Sequence, residues 1–320
     1  AIDFLEFYGR EIRRIGPTKQ LGHEPGELNR RMTIPRGLVG VIAPWNFPIA
    51  IPTGMIAAAL TTGNGVLFKP SERALITGLL LVDLLHQAGI PEDVLCCLPG
   101  GPLLGQALVE DPRVAMIVFT GSKSAGLQII ERAARATEQA HVIKRVVAEM
   151  GGKNAIIVDK TADLDEAIQG VVTSFTSYQG QKCSACSRVI VLDSIHDLFV
   201  TRLCDAVSSL TLGPPELPES RLGPVIDERA QTTIRTYIEI GRQEGTVVYE
   251  RSVPAEGYYV SPTVVTGIER HHRLAQEEVF GPILAVMRAR DFQDALTLAN
   301  STAYALTGGL YSRSPKNIEL

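Results

Sequence analysis

The sequence lacks the features that mark several large classes of protein. Its longest apolar stretches, such as "GLLLVDLL", are too short or too interrupted to span a bilayer, so no membrane segment is expected. It has no block of one charge: 31 Lys and Arg are interspersed with 35 Asp and Glu, for a formal net charge of −4. That excludes a basic stripe for nucleic acid and a polybasic patch for a membrane surface. There are no internal repeats or low-complexity tracts, and there is no GxGxxG dinucleotide fingerprint. Cysteines are few and odd in number (Cys96, Cys97, Cys183, Cys186 and Cys204), which predicts free thiols in a reducing compartment, the cytoplasm, over a disulfide scaffold. The chain opens without Met on "AIDFLEFYGREIRRIG", already in helical rhythm, and stops at "SPKNIEL" where a helix begins. Both ends are expected to be truncations of a longer protein.

What is present fits an ordinary globular protein, with 320 residues, 45% hydrophobic and 21% charged. A chain of this size buries about three quarters of its unfolded surface and usually forms more than one domain. From residue 38 to about 148, β-branched runs ("LVGVIA", "GVLFKP", "DVLCCLP", "VAMIVFTGS", "KRVVAEM") alternate with helical patterns at 48–60, 73–88, 102–110 and 122–138. Repeated β-α-β units predict an α/β fold with a parallel sheet, helices on both faces and ligands at the strands' carboxyl ends. A glycine pair in "MGGKN" marks a boundary, giving domains at 1–148 and 149–320. In the second α/β domain the predicted strands are "NAIIVD", "SRVIVLD", "GTVVYE", "YYVSPTVV" and "PILAVMRA", and the predicted helices 163–179 (opened by Asp163), 194–210, 227–243 and 292–300. "GELNRRMTIPRG", residues 26–37, reads as an arm or a pairing strand.

"GQKCSACSR" raises a question of chemistry. Cys183 and Cys186 at this spacing fit a redox pair, half a zinc site, two structural thiols, or one nucleophile beside an incidental neighbour. A redox pair wants its first cysteine at a helix N-terminus, whereas Cys183 follows a helical stretch and precedes a strand. Zinc needs two further ligands at suitable spacing, and none stands out, so no metal is expected. By itself the pair leaves these readings open.

Other stretches bear on it: "APWNFP" (43–48), "FKPSE" (68–72), "FTGS" (119–122), "EMGGK" (149–153) and "EEVFGP" (277–282). Together with "GQKCSACSR", in this order and spacing, they resemble the aldehyde dehydrogenase superfamily over nearly the whole chain. "VVAEMGGKNA", "GQKCSACSR", "QEEVFGP" and the opening helix are most similar to its 1-pyrroline-5-carboxylate dehydrogenase (glutamate-semialdehyde dehydrogenase) branch. The resemblance implies a Rossmann-like NAD-binding domain at 1–148 followed by a catalytic domain at 149–320 that lacks its C-terminal part, with 26–37 as an oligomerisation arm of a homo-oligomer. It implies that Cys183 is the nucleophile, Asn46 an oxyanion donor and Glu149 the general base, with Cys186 a packed thiol. For NAD it implies Trp45, Lys69, Ser71, Glu72, Gly101, Gly121, Ser122, Glu278 and Phe280. Glu72 would accept the ribose hydroxyls and repel a 2′-phosphate. For a small aldehyde substrate it implies Phe47 and Ser184. "LPGGPLLG", which holds Gly101, is one residue shorter than the family's glycine turn. Alternatives are an aldehyde dehydrogenase for another substrate and a catalytically silent dinucleotide-binding fragment.

Overall fold

The apolar runs between residues 38 and 149 are nearly continuous, so as strands they need cover on both faces. The computed structural model, which describes residues 1–135 and 142–320, provides that cover. The chain divides into two compact units, Ala1–Met150 and Gly151–Leu320. This division falls two residues after the expected boundary, so Glu149 and Met150 belong to the first unit and the second opens at Gly151.

The first unit starts with α1 (Ile2–Ile15), then β1 (Lys19–Gln20) paired antiparallel with β2 (Arg30–Arg31). There follow β3 (Leu38–Ile42), α2 (Ala50–Thr61), β4 (Gly65–Lys69), α3 (Leu75–Gln87) and β5 (Leu95–Cys97). The unit continues through α4 (Pro102–Glu110), β6 (Val114–Thr120), α5 (Lys123–Ala134) and β7 (Arg145–Glu149). Among the described residues, β3 to β7 form a parallel sheet in the order β5-β4-β3-β6-β7. The chain winds outward from β3 in one direction and restarts at β6 in the other, and such a switch point is where a doubly wound sheet binds ligands. Val39, Val41, Val66 and Phe68 pack on one face with Ile56, Leu81 and Val82. Ile117 and Phe119 pack on the other with Leu108, Val109 and Ala133.

The second unit comprises β8 (Asn154–Val158), α6 (Leu164–Thr176), β9 (Cys186–Leu192), α7 (His196–Ser208), α8 (Glu228–Glu244) and β10 (Thr246–Tyr249). After these come β11 (Thr263–Thr266), α9 (Arg273–Gln276), β12 (Ile283–Ala289), α10 (Phe292–Ala299), β13 (Gly308–Tyr311) and α11 (Pro315–Glu319). The sheet order is β10-β11-β12-β9-β8-β13, parallel except for β10 against β11. Alternation with period two sorts its side chains. Ile190, Leu192, Ala285 and Met287 pack under α8 and α10 through Ile234, Ile238 and Ala295. Val189, Val191, Leu284 and Val286 pack against α6 and α7 through Val171, Phe175, Phe199 and Leu203.

Three expected elements differ. The helix expected at 163–179 is capped by Asp163, whose carboxylate accepts from the N–H groups of Asp165 and Glu166, but ends at Thr176. It stops there because Tyr178 and Gln179 turn left-handed. "YYVSPTVV" is a strand only at Thr263–Thr266, since Pro262 has no N–H to pair; the Ser261 hydroxyl accepts from the Arg251 N–H at 2.9 Å and donates to the Pro262 carbonyl at 2.9 Å. The helix expected at 122–138 is observed as Lys123–Ala134, and residues 136–138 lie outside the described residues. Phe175 is 1% exposed in the α6 core. Phe175→Ala is expected to cost about 3–5 kcal/mol, read as a lowered urea midpoint at unchanged slope; an unmoved midpoint contradicts this packing.

Candidate functional site

In the first unit the motif residues collect at the carboxyl ends of the strands. Trp45, Asn46 and Phe47, all half-buried, form the turn between β3 and α2. The Arg73 guanidinium lies over the Trp45 ring, 5.7 Å from its centroid. Lys69, buried at the end of β4, donates from Nζ to the Pro70 carbonyl at 3.2 Å. Burial lowers its pKa and the charge of Glu72 opposes that shift. The Ser71 hydroxyl accepts from the Arg73 N–H at 3.3 Å, capping a tight turn at Glu72–Ala74. A Cβ on Gly101 would lie 2.7 Å from Glu72 Oε1, so glycine at the start of α4 leaves room for that carboxylate.

Ser122 caps α5, accepting from the Ala125 N–H at 3.3 Å. The Gly121 N–H donates to the carbonyl of the exposed Glu149 at 3.1 Å, which sets the end of β7 beside the start of α5. A cavity of about 180 Å³ is lined by Ile42, Lys69, Pro102, Val109, Phe119 and Ile129, among others. Its lining is mainly apolar and includes Pro102 and Ala125, in the first turns of α4 and α5.

In the second unit the motif residues lie at the opposite end of the sheet. Cys183 and Ser184 precede β9, and Glu278 and Phe280 precede its neighbour β12, so both loops sit at amino ends of strands. The cysteine loop is entered through three successive left-handed residues, Tyr178, Gln179 and Gly180, with φ of 54°, 57° and 68°. A Cβ on Gly180 would lie 2.5 Å from the Gly281 carbonyl group, so the cysteine loop and the 277–282 loop pack backbone to backbone. Phe280 is also left-handed, with φ of 58°, a conformation that persists in a non-glycine residue only where its surroundings enforce it.

Cys183 is half-buried and its carbonyl accepts from Asn154 Nδ2 at 2.7 Å. The same amide donates to the Ala185 carbonyl at 2.9 Å, and its oxygen accepts from the Thr307 N–H at 3.0 Å. Lys182 donates to Ser177 Oγ at 2.7 Å; burial lowers its pKa while the charge of the adjacent Cys183 raises it. Ser184 is exposed. Cys186 is buried on β9 with Sγ donating to the Arg188 carbonyl at 3.3 Å, and burial pushes its pKa up to about 12. A thiol held neutral in this way is unsuited to metal or redox work.

Glu278 Oε1 accepts from the Gly152 N–H at 2.9 Å. Burial raises the Glu278 pKa, opposed by that bond and by the charge of Lys153. Lys153 is 3% exposed. Burial, then the Arg188 charge, push its pKa down to about 7, against Glu278, Cys186 and Glu277.

The sequence profile of the aldehyde dehydrogenase family matches residues 1–320. The chain belongs to the aldehyde dehydrogenase family. It is 44% identical over 321 residues to 1-pyrroline-5-carboxylate dehydrogenase of Geobacillus kaustophilus, covering 100% of this chain and 62% of that relative. Among solved structures, 1-pyrroline-5-carboxylate dehydrogenase from Thermus with bound NAD superposes with a TM-score of 0.97 at 44% identity. That match covers 99% of this chain and 62% of the Thermus chain. Proline utilization A from Bdellovibrio bacteriovorus also matches with TM-score 0.97 and 44% identity, over 99% of this chain and 33% of that one. The chain thus spans under two thirds of the length of these aldehyde dehydrogenase relatives.

Sequence reasoning missed Lys153, Asn154 and Arg188. The available signal was their place: each is a polar residue at the mouth of an apolar strand, in "GGKNAIIVD" or "CSRVIVLD". Lys153 carries a consequence for pH. Its folded pKa, about 7, is below its ordinary 10.5, so between those values the unfolded chain binds more protons and this group's contribution to stability rises with pH. The stability of Lys153→Met relative to wild type is therefore expected to fall between pH 7 and about pH 9.5 in urea titrations. A difference independent of pH contradicts the assignment.

Proposed function

We propose that this chain carries the nucleophile and cofactor contacts for NAD-dependent oxidation of L-glutamate 5-semialdehyde, the open form of 1-pyrroline-5-carboxylate, to L-glutamate in proline catabolism. The observation that carries this reading is the backbone packing of the Cys183 loop on the Glu278 loop at the amino ends of β9 and β12. It puts a thiol-bearing turn next to a carboxylate suited to a ribose. The names of the relatives at 44% identity support the substrate, and the NAD-bound Thermus structure supports the cofactor.

The first unit's residues fit the adenosine half of NAD. The apolar slot beside Lys69 suits the adenine, and Glu72, given room by Gly101, suits the two ribose hydroxyls. Gly121 and Ser122, opening α5, suit the pyrophosphate. Glu278 and Phe280 would hold the nicotinamide ribose and ring, and Trp45 and Ser71 complete the contacts. When bound, NAD supplies the hydride acceptor.

The remaining steps belong to the chain's own residues. Cys183 Sγ adds to the aldehyde carbon, making a tetrahedral alkoxide. The Asn46 amide and the Cys183 N–H donate to that oxygen. As the hydride departs, the carbonyl re-forms as a thioester on Cys183. Glu149 takes a proton from water, the hydroxide attacks the thioester, and the sulfur leaves as a thiolate. Ser184 holds the substrate carboxylate and Phe47 walls its aliphatic chain. A working thiolate suits the reducing cytoplasm, and residues 26–37 suit pairing in a homo-oligomer.

The test is nicotinamide reduction by the chain with NAD and pyrroline-5-carboxylate, beside a simple aliphatic aldehyde. Turnover is expected with pyrroline-5-carboxylate, abolished in Cys183→Ser with NAD still bound, and lowered about 10²–10³-fold in kcat by Asn46→Ala. Turnover surviving in Cys183→Ser contradicts the nucleophile. Preference for the aliphatic aldehyde moves the substrate elsewhere in the family, and NAD binding without turnover on either supports a silent binding module.

A further inference from the structure

Arg188, on β9 five residues after the nucleophilic position, is 1% exposed. Burial pushes its pKa down to about 10, which leaves it a cation at neutral pH. The hydrogen bonds of its guanidinium run to carbonyl oxygens. Nε and Nη2 donate to Lys153 at 3.0 and 2.8 Å, Nη1 to Leu298 at 2.8 Å and Nη2 to Ala299 at 2.8 Å. Leu298 and Ala299 are the last residues of α10, at the negative end of the helix dipole, and the Leu298 carbonyl also accepts from the Ser301 N–H at 3.2 Å and the Ser301 hydroxyl at 2.7 Å. A cation there is sensible as packing. The bifurcated grip on Lys153 is not required by packing.

Lys153 belongs to the irregular turn at residues 151–153, ahead of β8, which both reactive loops touch. The Gly152 N–H anchors the Glu278 carboxylate, and a Cβ on Gly152 would lie 2.5 Å from the Cys183 carbonyl oxygen. The cysteine loop has its own fasteners, in the Asn154 amide on Cys183 and Ala185 and in Ser174 Oγ accepting from the Cys186 N–H at 3.1 Å. The turn is held at its third residue by the guanidinium.

We propose that Arg188 is a positioning residue for the cofactor carboxylate: by clamping the Lys153 carbonyl to the end of α10 it fixes the Gly152 N–H that holds Glu278. This deepens the functional reading above and rests on it for the identity of the ligand. The Arg188 charge also disfavours the protonated form of the Lys153 amine, which burial already disfavours.

Two readouts test it. The first is native-state hydrogen exchange, which needs no ligand. In the wild-type chain the Gly152 amide is expected to exchange only by the opening that exposes the β9 amides. In Arg188→Lys, which keeps a buried cation but reaches fewer carbonyls, Gly152 protection is expected to drop at least about tenfold with residues 155–158 unchanged. Fast exchange of Gly152 in the wild type, or unchanged protection in Arg188→Lys, overturns the proposal, and the wild-type arm can overturn it even if the variant fails to fold.

The second readout is NAD titration with steady-state kinetics. Arg188→Lys is expected to weaken NAD binding and raise its KM about tenfold while kcat stays within about threefold. Combined with Glu278→Gln it should add no further loss of affinity, because it acts through that carboxylate. Multiplying losses, or a lower melting temperature with unchanged NAD affinity, reduce Arg188 to core packing. A wild-type chain that binds no NAD defeats the functional reading instead, and the exchange result still decides the clamp.

Discussion

The Cys183 loop of the second unit hangs on the side-chain amide of Asn154. Cys183 lies just ahead of β9, beyond the reach of strand pairing, so its loop cannot take its shape from the sheet. The buried amide substitutes for a ladder, donating to the Cys183 and Ala185 carbonyls and accepting from Thr307. Each such bond contributes about 1 kcal/mol net, and leaving one buried partner unmade costs about 1–3 kcal/mol. A misplaced loop therefore forfeits several at once. The left-handed run ending at Gly180, seated on the Gly281 carbonyl, constrains the same loop from its other side.

The two units differ in what they offer at the ends of their strands. The first follows the doubly wound rule: a switch point between β3 and β6, helix N-termini, a slot, and a carboxylate accommodated by a glycine. The second places its reactive loops at the amino ends of strands, where no helix N-terminus is supplied by the βα connection. It relies on buried polar side chains, Lys153, Asn154 and Arg188, each nine-tenths or more enclosed. Burying two cations together is costly. The cost shows in the lowered pKa values of both, and carbonyl oxygens and the neighbouring Glu278 offset part of it.

Much of this was legible in the sequence, for physical reasons. Strands such as "VAMIVFTGS" and "SRVIVLD" are β-branched and apolar enough to admit one reading, and Asp163 announces α6 because a carboxylate at that place satisfies open N–H groups. The cofactor and cysteine motifs were readable through family resemblance. The left-handed turn at Tyr178 and Gln179 was not, since neither residue type favours it, and it leads into Gly180, which packs against Gly281. Burial of Lys153 and Arg188 was likewise hidden, because lysine and arginine default to the surface. The shift of the boundary past Glu149 follows from β7 pairing with β6 right up to that residue, a register that composition does not encode.

The claim at the centre of this account is that the acyl group is carried on Cys183 and released by Glu149. The measurement that tests it most directly is acid-quenched mass spectrometry of Glu149→Gln after mixing with NAD and pyrroline-5-carboxylate, with the adduct mapped by peptide. A glutamyl thioester accumulating on the peptide that contains Cys183 is the predicted result. Product forming at the wild-type rate with no adduct, or an adduct confined to Cys96, Cys97, Cys186 or Cys204, would contradict it.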